Sequence, residues 1–341
     1  MIRYICISVA ALLSIAFVSS CSSDEVQENP VRIIFDTDMG NDIDDAMALD
    51  MLHKYQDMGK VDLMAVMLNK EGYEAAAYVR LMNEFYGYPE IPIGIIHDQI
   101  RYECPAVPYT QKTIESYEGK ILAEDEYKAM PEAHILYRKL LADAEDESVV
   151  IASVGFSTNL VRLLQTEPDE YSPMNGRELV EKKVKRLCMM AGDFREDRHP
   201  EYNVKCDIPS AQIIFHTWPT ELVTSPFEVG IQICYPAESI EKDFNYVPFH
   251  PMAVGYGHFA AMPYDRPTWD LTTVLYAVEG DRWFTVSPMG DIRVTDDGLT
   301  YLDESESGLR RYLSVTPEQA TGVLDRFIEL ITLKPAKYEN E

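Results

Sequence analysis

The chain has little cysteine, little positive charge and no long apolar run beyond its first residues. Six cysteines in 341 residues include no CxxC pair and lack the density of a disulfide scaffold, which excludes a fold built on cysteine staples. Lys and Arg number 30 against 57 Asp and Glu, a net charge of −27. With no basic stripe to offset that charge, a nucleic-acid backbone and an anionic membrane surface are excluded as partners. Neutral or cationic small molecules remain. No internal repeat or low-complexity tract interrupts the chain, which excludes a solenoid.

Residues 1–20 carry one charge, Arg3, and an apolar core over 5–18, followed by Val18-Ser19-Ser20-Cys21. This resembles the lipobox of a bacterial lipoprotein signal peptide. It implies cleavage before Cys21, lipid attachment to that thiol, and anchoring in the cell envelope, on the periplasmic face or the cell surface. The competing reading, a transmembrane anchor, needs about 20 apolar residues, more than this stretch offers. Residues 21–30 are polar and aperiodic, a flexible tether. Asp24-Glu25 also resembles signals that send some lipoproteins outward. Cys6 leaves with the signal, and no spacing selects a pairing among Cys104, Cys188, Cys206 and Cys234.

Residues 31–335 are enough for one large α/β domain. Short apolar runs at 31–35, 63–68, 93–96, 149–153 and 187–190 read as buried strands. Amphipathic stretches at 44–58, 73–86, 131–144 and 158–165 read as helices between them. That alternation predicts a mostly parallel central sheet flanked by helices, a Rossmann-like open sheet that binds ligands at the carboxyl ends of its strands. Residues 96–128 and 237–267 read as long loops, a rim or lid. A helix resumes over 269–278, the segments 283–286 and 292–294 form a possible hairpin, and Thr316-Pro317-Glu318-Gln319 starts a last helix with a capping box.

What the chain does have is aspartate. Five of them, Asp36, Asp38, Asp42, Asp44 and Asp45, fall within ten residues directly after the apolar run Ile33-Ile34-Phe35. Carboxylates this dense repel one another and cost several kcal/mol each to desolvate unless a cation neutralises them. So many hard oxygen ligands suit Ca²⁺ or Mg²⁺ rather than zinc. Asp42 reads as a turn or cap residue. Strand-Asp-x-Asp alone also fits a dehalogenase-type phosphatase, but that family does not predict Asp44-Asp45 opening the next helix.

Further motifs follow in order. Leu63 to Leu68 ends in Asn69, Ser153-Val154-Gly155-Phe156-Ser157-Thr158-Asn159-Leu160 reads as strand–turn–helix, and Met190-Ala191-Gly192 is a turn. Glu201-Tyr202-Asn203 precedes Asp207, and Trp269-Asp270 opens a late helix. Together with Asp36-Thr37-Asp38-x-Gly and Asp44-Asp45-Ala46, this series resembles the nucleoside hydrolase family, with two extra residues between the halves of the first motif.

The resemblance implies hydrolysis of the N-glycosidic bond of ribonucleosides. It implies a Ca²⁺ ion held by Asp38, Asp45, Asp270 and the backbone carbonyl of Thr158, with Asp38 also activating the attacking water. Asp44, Asn69, Glu201 and Asn203 are then the sugar-binding residues, and Asp36 a support behind the loop. Many members carry His where this chain has Trp269. Tryptophan there resembles the purine-selective branch, in which the indole stacks on the base. Arg195 stands near the place where some members use an Asn. A third reading is a surface lipoprotein that binds nucleosides or sugars without turnover. A homo-oligomer is compatible with the sequence but not selected by it.

Overall fold

The computed structural model describes residues 29–97, 107–119 and 121–338. Cys21 and its tether up to residue 28 lie outside the described residues. Among the described residues twelve strands form: β1 Val31–Thr37, β2 Val61–Leu68, β3 Ile93–Gly94, β4 Val149–Ser153, β5 Val184–Met190, β6 Glu221–Ser225, β7 Cys234–Tyr235, β8 Arg266–Pro267, β9 Thr285–Val286, β10 Gly290–Val294, β11 Thr300–Glu304 and β12 Arg310–Ser314. Ten of them make one sheet, in the order β11-β10-β12-β6-β5-β4-β1-β2-β3, with β9 beside β12; β7 and β8 pair separately. The seven strands from β12 to β3 run parallel, and β9, β10 and β11 add antiparallel edges.

Both faces of β1 are buried because helices cover the sheet on each side. Alternation sends Ile33 and Phe35 into one apolar core and Ile34 into the other. The chain winds from β1 through β2 to β3, then returns to the other flank of β1 with β4, β5 and β6. The gap between β1 and β4 is therefore a topological switch point, where loops diverge and leave a crevice at the carboxyl end of the sheet. Among the described residues no helix is long and apolar enough to cross a membrane.

The helix Tyr73–Tyr86 and the strand β4 have the bounds expected from sequence. The last helix, Pro317–Ile331, starts with the expected box: Gln319 N donates to Thr316 Oγ1 (3.2 Å) and Thr316 N to Gln319 Oε1 (2.9 Å). Other expectations are corrected. Residues 109–116 and 124–128 are helical within the first expected loop, and 237–242 and 251–259 within the second. The expected hairpin does not form: β10 pairs with β11, while β9 pairs with β12. Cys188 and Cys234 are free thiols, and Cys206 is disulfide-bonded.

Candidate active site

A cavity of about 250 Å³ opens at the switch point, lined by Asp38, Asn41, Asp42, Asp44, Asp45, Val154, Met190, Tyr202, Asn203, Phe227, Arg266, Trp269 and Asp270. Asp38 stands just past the end of β1. The loop behind it turns at Gly40, whose φ of +99° strains any side chain, and Gly40 N donates to the Tyr109 hydroxyl at 3.2 Å. Asn41 donates to Asp38 through Nδ2 and accepts from Lys70 Nζ (2.5 Å) through Oδ1. Thr37 Oγ1 donates to Asp45. Asp44 and Asp45 open the helix Asp44–Asp57, where its dipole favours negative charge.

Asp44 reaches the far side of the cavity. Its Oδ2 accepts the backbone N–H groups of Trp269 (3.0 Å) and Asp270 (3.2 Å), the first turn of the helix Trp269–Glu279. The Trp269 indole N–H donates to Phe227 O at 2.9 Å, and the two rings stack with centroids 5.6 Å apart. Gly230 makes room for this: a Cβ there would lie 2.3 Å from the indole. Asn203 Nδ2 donates to the backbone oxygens of Val154 (3.2 Å) and Met190 (3.1 Å), tying β4 to β5 at the cavity floor.

Burial raises the carboxyl pKa values of Asp38, Asp44, Asp45 and Asp270. Mutual repulsion adds to burial most at Asp45 and Asp270, which lie well above the ordinary carboxylate range. Lys70 and Arg266 offset part of this charge. Among the described residues no group of three or more His, Cys, Asp or Glu side chains stands ready-made to hold a metal ion. The donor set still has the chemistry a hard cation needs, because it is buried, built from oxygen and short of positive charge.

Asp36 lies behind this wall. It accepts from Asn69 Nδ2 (2.6 Å), Tyr137 Oη (2.8 Å) and Asn159 Nδ2 (3.2 Å), and burial pushes its carboxyl up to about 7. Asn69 is fully buried, outside the cavity lining, and serves Asp36. Glu201 also lies outside the lining; its carboxylate accepts the N–H groups of Gly192 (3.1 Å), Asn203 (2.9 Å) and Val204 (3.3 Å), so it positions Asn203. Burial pushes Glu201 up to about 7.

Besides Asn69 and Glu201, two placements differ from the sequence reading. Thr158 is not in the lining, and its hydroxyl donates to Asp207 (2.6 Å); Val154, four residues earlier at the mouth of β4, lines the cavity. Asp42 is not only a turn residue. It accepts Asp44 N at 3.1 Å, but it also lines the cavity and pairs with Arg266. Arg266 and Phe227 escaped the sequence reading, since no local pattern marks them, while Tyr202 and Asn41 stand inside motifs that assign them no role. Arg195 is held by Asp193, with Nη2 to Oδ2 at 2.7 Å, and packs 5.0 Å from the Phe227 ring.

A parallel α/β sheet with an aspartate-walled, tryptophan-flanked cavity at its switch point defines an enzyme of the open-sheet hydrolase class. Residues 33–321 match the model of the inosine-uridine preferring nucleoside hydrolase family, and the chain belongs to that family. A search of curated proteins gives no match. Solved structures share the fold. A plant nucleoside hydrolase is 20% identical with a TM-score of 0.62, over 88% of this chain and 99% of the other. A purine-preferring ribonucleoside hydrolase from Gardnerella vaginalis is 15% identical with a TM-score of 0.65, over 89% and 100%. An inosine-uridine preferring nucleoside hydrolase from Bacillus anthracis is 18% identical with a TM-score of 0.64, over 88% and 99%.

Proposed function

We propose that the protein hydrolyses the N-glycosidic bond of ribonucleosides, purine nucleosides foremost, to ribose and free base. The observation that carries this reading is the meeting of Asp38, Asp44, Asp45, Asp270, Asn203 and Trp269 around one cavity. Asp38 takes a proton from the attacking water, a role that the raised pKa of its buried carboxyl supports. Asp44 and Asn203 hold sugar hydroxyls. The surrounding carboxylates stabilise the positive charge that develops on the sugar ring as the bond breaks. Trp269 and Phe227 offer stacked rings as a wall for a planar base.

Asp38, Asp45 and Asp270 would hold Ca²⁺ together with a backbone carbonyl of the turn after β4, that of Thr158 or that of Val154 at the cavity wall. Bound there, the ion supplies the positive charge these carboxylates lack and acidifies water. Asp36, Asn69 and Glu201 act through the groups they position. We also propose that Cys21 carries a lipid that holds the enzyme at the envelope, which the mass of the mature N-terminal peptide tests. The functional test is a reducing-sugar assay over a panel of nucleosides, with and without chelator. Ribose release from purine nucleosides that chelator abolishes is expected. Tight calcium binding with no ribose from any nucleoside would leave a binding protein, and phosphate release from phosphomonoesters a phosphatase.

A further inference from the structure

Arg266 lines the cavity beside Trp269 and belongs to no motif of the sequence. Its guanidinium lies 5.2 Å from the Trp269 ring and 4.9 Å from that of Phe259, contacts that fix its plane. Nη2 is spent on Asp42 and on Asp44 Oδ1, the latter at 3.5 Å. Nε is buried without a partner. Among the described residues no hydrogen bond leaves Nη1, so this part-buried cation of the cavity lining keeps one corner unspent.

That corner matters because Trp269 stands where a proton-donating histidine would serve, and its indole N–H is already committed to Phe227 O. When the glycosidic bond breaks, its electron pair goes to the base nitrogen. The water oxygen bonds to the anomeric carbon, its proton goes to Asp38, and the base departs as an anion until solvent protonates it. A guanidinium keeps its charge at working pH and transfers no proton, but it is a strong hydrogen-bond donor to developing negative charge. We propose that Arg266 Nη1 donates to a ring-nitrogen acceptor of the departing purine and stabilises this charge. The inference rests on the hydrolase reading above and assigns the leaving-group side of that reaction.

The test compares wild type, Arg266→Met and Arg266→Lys on inosine, 7-deazainosine and p-nitrophenyl riboside, with melting temperatures as a fold control. Arg266→Met should lower kcat on inosine by roughly 10²-fold, the usual cost of one donor to developing charge. On p-nitrophenyl riboside, whose leaving group is stable unaided, the loss should be at least about tenfold smaller. On 7-deazainosine, which lacks the N7 acceptor, the substitution should add little to an already slow rate. If Arg266→Met does not fold, Arg266→Lys, which keeps a charge beside Asp42, should show the same split. Equal losses on all three substrates would overturn the inference and leave Arg266 a counter-ion for Asp42 and Asp44. Wild type that cleaves none of them would overturn the hydrolase reading along with it.

Discussion

Asp44 Oδ2 accepts the backbone N–H of Trp269 at 3.0 Å. A carboxylate that opens one helix thereby caps another, whose own N-cap residue, Thr268, makes no side-chain capping bond. The same bond sets the indole wall relative to Asp45 and Asp38. Asp44→Ala should therefore cost about 1 kcal/mol of stability, as a lost cap does, and abolish turnover. Asp44→Asn keeps an acceptor for the helix and should regain much of the stability without the activity. Urea melts and ribose release check both, and an active Asp44→Asn enzyme would contradict the role.

Trp269 combines a stack with a hydrogen bond, and two substitutions separate them. Trp269→Phe keeps a ring to stack but loses the N–H to Phe227 O, a bond worth about 1 kcal/mol. Trp269→Ala empties the wall and should lower kcat/KM on purine nucleosides more than on p-nitrophenyl riboside. Equal losses on the two substrates would make the indole a packing residue.

Gly155 separates Asn69 from the loop after β1. A Cβ there would lie 2.6 Å from Asn69 Nδ2 and 2.6 Å from the Asp38 backbone nitrogen. Gly155→Ala should displace Asp38, and a shift of that kind costs on the order of 10²-fold in rate. Wild-type kinetics in the variant would show that the loop has slack the packing does not suggest.

Asp50, two turns along the helix from Asp44, is fully buried and accepts the Tyr86 hydroxyl. Burial pushes its carboxyl from 3.8 up to about 6. The folded chain thus binds this proton more tightly than the unfolded chain, so its contribution to stability falls as pH rises from about 4 to about 6. Asp50→Asn does not titrate. Its stability relative to wild type should climb over that window by a few kcal/mol and level off above it. Denaturant melts from pH 4 to 7 measure this, and a flat difference would rule the linkage out.

Much of the fold was legible because its strands are short apolar runs and its helices periodic. The aspartate cluster was legible because no structural need packs charge so densely after a buried strand. The strand Glu221–Ser225 was not read, since its five residues have neighbours in β5 and β12 that are distant in sequence. Arg266 is invisible for a related reason: its place depends on β8 pairing with β7, and its partner Asp42 lies in the first loop. At Thr158 the motif was legible, but sequence order does not show that Val154, four residues earlier, is the residue of that turn that lines the cavity.

The most direct test of the central claim is ribose release from inosine by wild type and by Asp38→Ala, each with Ca²⁺ and with chelator. The account predicts Ca²⁺-dependent turnover in wild type, abolished in Asp38→Ala together with a weakened affinity for the ion. Turnover at the wild-type rate in Asp38→Ala, or in wild type stripped of metal, would contradict it.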